Sequence, residues 1–404
     1  MLKVLELFAG IGACSKALTN LGIKHEIVDA VEIDKFAIKS FNAIHDTNFE
    51  PQDITKWNKD IKVDLIMHGS PCQDFSVAGR NAGGDEGSGT RSSLLYETLR
   101  IVEKIQPDIV IWENVKNLLS RRHKHNFEAY LDRMSDMGYD STAKVMNAKN
   151  YGVPQNRERV FTISIKRGSK LVKSYTHPEP RPLETKLKDL LEDNPDEKFY
   201  ISDAMMDYFM GVNQTPSRFP RKERFLQNIN RKDQDRANSI TTNPGNRPTD
   251  NFVKIFGNLN RPGWHKENGT VLSPDGLATT IMAQSNNAIK KVAIKTANKK
   301  GYDIAKDGDG IDLAYPQSQT RRGRVGHEVA KTIPTNDSQG TLDGVRIRKL
   351  TPRECWRLMG FDDADFDKAQ ATGMSNSQLY KQAGNSIVVN CLEAIINGIE
   401  WRTK

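Results

Sequence analysis

The first part of the chain alternates short apolar segments with amphipathic ones. Strand-like segments are Leu2–Phe8, Glu26–Ile33, Asp64–His68, Asp108–Glu113 and Val160–Ile165, and helix-like segments are Ala13–Leu21, Asp34–Ile44 and Ser92–Ile105. Strands that alternate with helices of this length are typical of βαβ units. The pattern therefore predicts the α/β class, with a doubly wound, mostly parallel sheet.

Length and composition restrict the class of protein further. The chain has 404 residues, enough for two or three domains, and is 37% hydrophobic and 27% charged. No segment approaches the roughly 18–20 apolar residues that a membrane-spanning helix needs. The N-terminus shows no signal-peptide pattern. We expect a cytoplasmic protein with no membrane association.

The cysteines and the net charge bear on cofactors and partners. Four cysteines are widely scattered, and none forms a C-x-x-C pair. This spacing does not suit zinc, and we expect no metal. The net charge of +8 is compatible with a polyanionic partner but does not identify one. Cys14, Cys355 and Cys391 occur in helix-like sequence and are expected in the core.

The middle of the chain has a different composition. Residues 166–344 are rich in Asn, Thr, Gly, Pro and Arg, with short strand-like pieces and several basic clusters, one of which contains Arg321, Arg322 and Arg324. Such residues can contact phosphates and read base edges. We predict a catalytic domain over residues 1–170, completed by a C-terminal helix at about 378–404. An irregular, β-rich domain and a connecting helical segment would occupy 171–377.

A glycine turn joins the first strand to the first helix. Phe8-Ala9-Gly10-Ile11-Gly12 allows a ligand to approach the backbone and leaves helix N–H groups free. Glu32 lies 20 residues after Gly12, at the end of the next strand, where an acid can bind ribose hydroxyls. No Gly-Lys-Ser/Thr phosphate loop is present. The pattern favours a nucleoside cofactor without a triphosphate.

Two further strands deliver reactive side chains at their ends. Cys72 follows Asp64–His68 in a polar loop, where it suits a nucleophile better than a buried thiol. Glu113 ends the next strand, either as a turn residue or as a general acid near Cys72. Arg157 and Arg159 precede a later strand, where they are either surface charges or contacts to an anion or base.

These segments resemble the motifs of cytosine-5 DNA methyltransferases. The blocks, in the order found in that family, are Phe8–Gly12, Gly69-Ser70-Pro71-Cys72-Gln73, Glu113-Asn114-Val115, Gln155-Asn156-Arg157-Glu158-Arg159, Arg353–Phe361 and Gln382-Ala383-Gly384-Asn385-Ser386. The resemblance covers nearly the whole chain except the middle region, which in this family varies with the DNA sequence that is read. Each block is short, but six in the same order are specific.

The resemblance implies roles for individual residues. Residues implied at the S-adenosylmethionine site are Phe8, Gly10, Gly12, Glu32 on the ribose, Ile33 and Asp53 at the adenine, and Pro71, Leu94, Asn385 and Ser386 as further contacts. Residues implied at the target base are Cys72 as nucleophile, with Glu113, Arg157 and Arg159. Residues expected on the DNA are Gln73, Ser76, Arg321, Arg322 and Arg324. Ile33 stands where some family members have an aromatic residue, so its adenine contact would be merely apolar.

The resemblance also implies an activity. A monomeric enzyme would transfer a methyl group from S-adenosylmethionine to carbon 5 of a flipped cytosine in double-stranded DNA, leaving S-adenosylhomocysteine. It could belong to a restriction-modification system. The glycine-rich segment from Gly79 to Gly89 is expected to act as a lid. Two alternatives are an RNA cytosine-5 methyltransferase and a catalytically inert DNA-binding regulator. A zinc deaminase is disfavoured because Phe75 occupies the place of its second cysteine.

Overall fold

The structure is a computed structural model that describes residues 1–71, 94–202, 255–258, 270–272, 291–343 and 346–402. Cys72, Gln73, Ser76 and the predicted lid lie outside the described residues, as does the basic segment 218–236 of the middle region.

The described residues contain eight α-helices. They are α1 (Ala13–Asn20), α2 (Lys35–His45), α3 (Leu95–Ile105), α4 (Lys124–Asp136), α5 (Pro352–Arg357), α6 (Asp363–Ala371), α7 (Asn376–Asn385) and α8 (Val389–Asn397). The predicted helices α1, α2 and α3 are confirmed within a few residues. α4 and α6 had no prediction, because their apolar residues are too few or too widely spaced to stand out. The single C-terminal helix predicted at about 378–404 is wrong, since this segment forms α7, α8 and the short strand Ile399–Trp401.

The strands are mostly short. They are β1 (Leu2–Leu7), β2 (His25–Val31), β3 (Leu65–His68), β4 (Ile109–Val115), β5 (Tyr139–Asn147), β6 (Gln155–Asn156), β7 (Glu158–Lys166), β8 (Val172–Tyr175), β9 (Ile255–Asn258), β10 (Thr270–Leu272), β11 (Lys291–Lys295), β12 (Tyr302–Lys306), β13 (Gly310–Asp312), β14 (Val325–Gly326), β15 (Ala330–Lys331), β16 (Gln339–Asp343), β17 (Arg346–Lys349) and β18 (Ile399–Trp401).

Six strands form the main sheet, in the order β2-β1-β3-β4-β7-β5. β2, β1, β3 and β4 pair in parallel, whereas β7 is antiparallel to both β4 and β5. The predicted α/β class is confirmed, and the sheet is mixed. Its central strands are apolar on both faces because helices cover both sides, and Val4, Ile66 and Val110 are fully buried.

The register brings the carboxyl ends of four neighbouring strands to one edge. Leu7 pairs with Val31 on one side and with His68 on the other, and His68 pairs with Trp112. The segments that follow these residues are the glycine turn, Glu32 with Ile33, Gly69–Pro71 and Glu113. Ligands of open α/β sheets bind beyond such an edge.

The chain forms two compact units. The first comprises Met1–Glu192, Thr332–Asp337 and Thr351–Lys404, and the second comprises Asp193–Lys331 and Ser338–Leu350. The first unit therefore extends beyond the predicted residues 1–170 and includes 351–377, which the sequence analysis grouped with the middle domain. Trp356 in α5 explains this assignment, since its side chain is fully buried and its indole N–H donates to the carbonyl of Leu379 in α7.

The second unit is built on small antiparallel sheets. Four strands pair in the order β14-β13-β16-β17, and β11 pairs with β12. A compact apolar core fills this unit and includes Ile294, Ile311, Leu342 and Ile347. Such short strands carry little periodicity of their own, which is why the sequence predicted an irregular β-rich domain without strand bounds.

Candidate active site

The glycine turn after β1 has an unusual backbone. Phe8, Gly10 and Gly12 all have positive φ, at 53°, 57° and 82°. A positive φ at Phe8 is strained for a residue with a large side chain. Hydrogen bonds from Ala9 N to Val31 O (3.1 Å) and from Gly12 N to Ala9 O (2.9 Å) hold the turn. A Cβ at Gly10 would meet no atom within 4 Å, so this face of the turn is open.

Glu32 fastens the turn from the end of β2. Its Oε2 accepts a hydrogen bond from Gly10 N at 3.0 Å, and its Oε1 accepts one from Asp34 N at 2.8 Å. Burial raises the pKa of the Glu32 carboxyl. The sequence predicts a ligand contact for Glu32 but gives no signal for this bond to the turn. Each carboxylate oxygen has a second lone pair, so both roles are compatible.

Ile33 and Asp53 lie on neighbouring segments beside Glu32. Gln52 N donates to Glu32 O at 2.8 Å, which joins the two segments. The Ile33 side chain is 72% exposed, unusual for an isoleucine. Asp53 begins a short 3-10 turn, and hydrogen bonds from the hydroxyl and backbone N–H of Thr55 lower the pKa of its carboxyl.

The segment after β3 is held by side chains from β4. Trp112 Nε1 donates to the hydroxyl of Ser70 at 3.0 Å, and Asn114 Nδ2 lies 3.4 Å from both Ser70 O and Ser70 Oγ. Ser70 is buried, and Pro71 follows it directly. Asn114 is a site residue that the sequence analysis quoted only as part of a motif. Leu94 resumes the described chain and packs against the main apolar core.

Glu113 and Arg159 form an ion pair. Arg159 Nε lies 2.9 Å from Glu113 Oε1, and both side chains are mostly buried. This oxygen accepts no hydrogen bond of good geometry from the described residues. A Cβ on Gly69 would lie 3.7 Å from Glu113 Oε2, so the chain leading to Cys72 runs beside this carboxylate. The ion pair between Glu113 on β4 and Arg159 on β7 therefore lies beside the segment that follows β3.

A small cleft lies against this ion pair. Its lining residues are Glu113, Met146, Ala148, Arg157, Arg159, Phe161, Val388 and Cys391. Burial raises the pKa of the Cys391 thiol to about 12, so this thiol stays protonated at neutral pH and is a poor nucleophile. Cys14, Cys355 and Cys391 are all buried, as the sequence predicted.

Arg157 has different surroundings from Arg159. Its side chain is 5% exposed, and its guanidinium donates to the carbonyls of Ile333 (3.4 Å), Gly384 (3.4 Å) and Ser386 (2.9 Å). These bonds hold the end of α7 and the segment 332–337 together. These bonds give Arg157 a fastening role, and its contact to the target base stays a prediction.

The end of α7 is closely packed. A Cβ on Gly384 would lie 2.3 Å from Pro334 O, so only glycine allows this approach. Asn385 is exposed, whereas Ser386 is buried with its hydroxyl donating to Ile387 O at 3.2 Å. Gln382 donates to Phe36 O at 3.0 Å, and so connects α7 to the start of α2 near Ile33.

Three predicted DNA contacts lie in the second unit. Arg324 is 2% exposed and donates to the carbonyls of Asp312, Ala314 and Tyr315 at 2.7–3.0 Å. These bonds give Arg324 a structural role in its loop, and its contact to DNA stays a prediction. Arg321 is half-buried and pairs with Asp312 at 2.6 Å, whereas Arg322 is exposed.

The described residues contain neither a metal-binding cluster nor a membrane-spanning helix. No group of three or more His, Cys, Asp or Glu side chains in the described ranges could hold a metal ion. No helix within the same ranges is long and apolar enough to cross a membrane.

A doubly wound sheet with a glycine turn after β1 and carboxylates after β2 and within β4 is the arrangement of a nucleoside-binding α/β enzyme. The chain belongs to the C-5 cytosine-specific DNA methylase family, whose model matches residues 2–401. It is an enzyme of the DNA (cytosine-5-)-methyltransferase class.

Curated relatives match across almost the whole chain. The orphan methyltransferase M.SPRI of Bacillus phage SPR is 34% identical, over 98% of this chain and 96% of its own. The type II methyltransferase M.HhaI of Haemophilus parahaemolyticus is 29% identical, over 98% of this chain and 94% of its own.

Solved structures share the fold. A putative DNA modification methyltransferase encoded within an E. coli prophage matches with a TM-score of 0.55 at 20% identity, over 98% of both chains. The S. pombe Dnmt2 methyltransferase matches with a TM-score of 0.53 at 16% identity, over 98% of this chain and 97% of its own.

Proposed function

We propose that this chain transfers a methyl group from S-adenosylmethionine to carbon 5 of a flipped cytosine in duplex DNA, through a covalent adduct at Cys72. The observation that carries the proposal is the common edge of β1, β3 and β4. It brings the open glycine turn, the segment that leads to Cys72 and the Glu113–Arg159 pair to neighbouring positions.

The residues around the glycine turn fit S-adenosylmethionine. The open face at Gly10 leaves room for a ligand against the backbone, and the exposed Ile33 offers an apolar surface for a purine ring. Glu32 has free lone pairs for ribose hydroxyls, and the Asp53 carboxylate lies on the adjoining segment. Pro71, Leu94, Asn385 and Ser386 remain proposed further contacts. When bound, this cofactor supplies an electrophilic methyl group.

Cys72 and Glu113 would activate the base. Carbon 5 of cytosine is a poor nucleophile, so the Cys72 thiolate first forms a bond to carbon 6. The displaced electron pair is stabilised at the ring by a proton that Glu113 holds at ring nitrogen 3. After carbon 5 has been methylated, its proton is lost to a base, the carbon 6–sulfur bond breaks and the Cys72 thiolate leaves.

Arg159 would orient Glu113 for this step. Its Nε contacts one carboxylate oxygen of Glu113, which leaves Oε2 directed toward the segment beside Gly69. A target carbon inside a stacked duplex cannot be reached, so the base must leave the helix at a cost of a few kcal/mol. Gln73 and Ser76, which lie outside the described residues, stay proposed DNA contacts, and the segment Gly79–Gly89 stays a proposed lid.

The second unit is the proposed target-reading domain. Arg322 is exposed, and Tyr315 is 75% exposed on the same loop, with the Arg321 guanidinium 5.6 Å from its ring centroid. A cation and an aromatic ring at the surface suit contact with phosphates and bases. The named type II and phage methyltransferases among the relatives favour DNA as the substrate.

Cys72→Ser tests the mechanism. Methyl transfer from labelled S-adenosylmethionine to duplex DNA should be lost, while DNA binding measured by gel shift should persist, because only the nucleophile is changed. Cys355→Ser, at a buried cysteine, is the matched control and should retain activity. Retained activity in Cys72→Ser would disprove the adduct.

Two further measurements test the substrate. Duplex DNA should outcompete transfer RNA in the same assay, and the reverse result would favour an RNA methyltransferase. Bisulfite sequencing of DNA from cells that express the wild type should show methylated cytosines in a common sequence context. A wild-type protein that binds DNA but transfers no methyl group would favour the inert regulator.

A further inference from the structure

A histidine outside the predicted site contacts the glycine turn. His45 is the last residue of α2, and its Nε2 lies 3.1 Å from the backbone carbonyl of Ile11. Its ring packs on Phe41 at 4.7 Å between centroids. Because the acceptor is Ile11 O, this bond holds the peptide between Ile11 and Gly12 at the end of the turn.

Gly12 provides the space for this imidazole. A Cβ at Gly12 would lie 2.1 Å from His45 Nε2 and 2.8 Å from the ring of Phe41. Gly12 therefore has a packing reason for being glycine in addition to its φ of 82°. The His45 ring contacts the backbone of the turn at Gly12, on a different face of the turn from the open one at Gly10.

The protonation state of His45 supports a stable bond. Burial lowers the pKa of its imidazole to about 4, although the hydrogen bond to Ile11 O acts in the opposite direction. The ring is therefore neutral at physiological pH. Since a carbonyl can only accept, the ring must carry its proton on Nε2 to make the bond.

We propose that His45 is a positioning residue for the S-adenosylmethionine turn, an inference that rests on the proposed function. A turn that combines a strained Phe8 with two conformationally free glycines keeps one conformation only if its surroundings hold it. Glu32 holds Gly10 N and His45 holds Ile11 O, so the peptides on either side of the Gly10–Ile11 peptide are fixed by two different side chains. Without the second bond the turn samples other conformations and binds the cofactor less well.

Three variants test this role. His45→Leu keeps an apolar side chain over Phe41 but removes the donor, whereas His45→Gln restores an N–H donor with similar reach. His25→Leu is the matched control, because His25 and His45 line the same surface cleft but His25 bonds to Ile23 O, away from the turn. S-adenosylhomocysteine binding is measured by calorimetry, and KM and kcat are measured separately for S-adenosylmethionine and for DNA.

His45→Leu should raise the Kd for S-adenosylhomocysteine and the KM for S-adenosylmethionine by about tenfold, the effect of one lost hydrogen bond. The KM for DNA and kcat at saturating cofactor should change less than twofold. His45→Gln should recover most of the affinity, and His25→Leu should bind like the wild type.

Other results would overturn the proposal. Wild-type affinity in His45→Leu would show that the turn does not depend on this side chain. Equal losses in His45→Leu and His45→Gln, or a parallel fall in kcat and in DNA affinity, would indicate a general structural role. Failure of the proposed function is separate, since the wild type itself would then bind no S-adenosylhomocysteine.

Discussion

Arg157 and Arg159 in the first unit, and Arg322 and Arg324 in the second, are two pairs of arginines separated by a single residue. In each pair, one guanidinium is buried and donates to backbone carbonyls, those of Ser386 and two others for Arg157 and those of Tyr315 and two others for Arg324. The other member differs. Arg159 faces the Glu113 carboxylate, and Arg322 is exposed.

The difference follows from the donors of the guanidinium group. Arginine has five N–H groups in a fixed plane, so one side chain can bind several carbonyls of a tight loop. A buried charge is tolerated only with such partners. Two arginines separated by one residue can therefore have different roles. A count of basic residues does not indicate which of them contacts a ligand.

The largest expected effect is on catalysis, at Arg159. Arg159→Gln removes the cation that orients Glu113, so methyl transfer should fall by about 10²–10³-fold, as for other donors aimed at developing charge. The urea concentration at the midpoint of unfolding should change much less in Arg159→Gln than in Arg157→Met. Single-turnover kinetics on duplex DNA measure the rate. A rate within threefold of the wild type would show that Arg159 does not contribute to the methyl-transfer step.

Arg157→Met should act mainly on stability. Three backbone carbonyls lose a buried donor, and the free energy of unfolding of the first unit should fall by about 3 kcal/mol. Urea unfolding followed by tryptophan fluorescence measures it. If Arg157→Met instead left stability unchanged and abolished methyl transfer, Arg157 would have a catalytic role like that proposed for Arg159.

Arg324→Met should destabilise the second unit. The loop that carries Tyr315 loses its buried anchor, and the expected loss is about 2 kcal/mol, since this core is smaller. Hydrogen exchange of the amides in β13 and β16 reports on this unit separately from the first. Unchanged protection would mean that the loop holds its shape without Arg324.

The smallest effect is expected at Arg322. Arg322→Ala removes an exposed cation, so unfolding should be unaffected, while DNA affinity should fall severalfold and the salt dependence of binding should decrease by about one ion. Titrations at several salt concentrations measure this slope. An unchanged slope would show that Arg322 makes no phosphate contact, and the proposed reading face would have to lie elsewhere in the second unit.

Local sequence predicted much of the first unit. Apolar strands such as Leu2–Leu7 and Ile109–Val115 stood out because both faces are buried. Local sequence also fixes the start of α5, where the side chains of Thr351 and Glu354 form a capping box. The order of the motifs identified the family, which the family model confirms over residues 2–401.

The surroundings of single side chains were decided only by tertiary structure. The local sequence does not distinguish Arg157 from Arg159, because their partners lie about 50 to more than 200 residues away in the chain. His45 reads as the end of an amphipathic helix, and only the packing of α2 against the turn brings it to Ile11. Periodicity and capping act over a few residues, so the sequence determines which elements form. Which polar groups meet depends on contacts between elements distant in the chain, and these exist only in the folded protein.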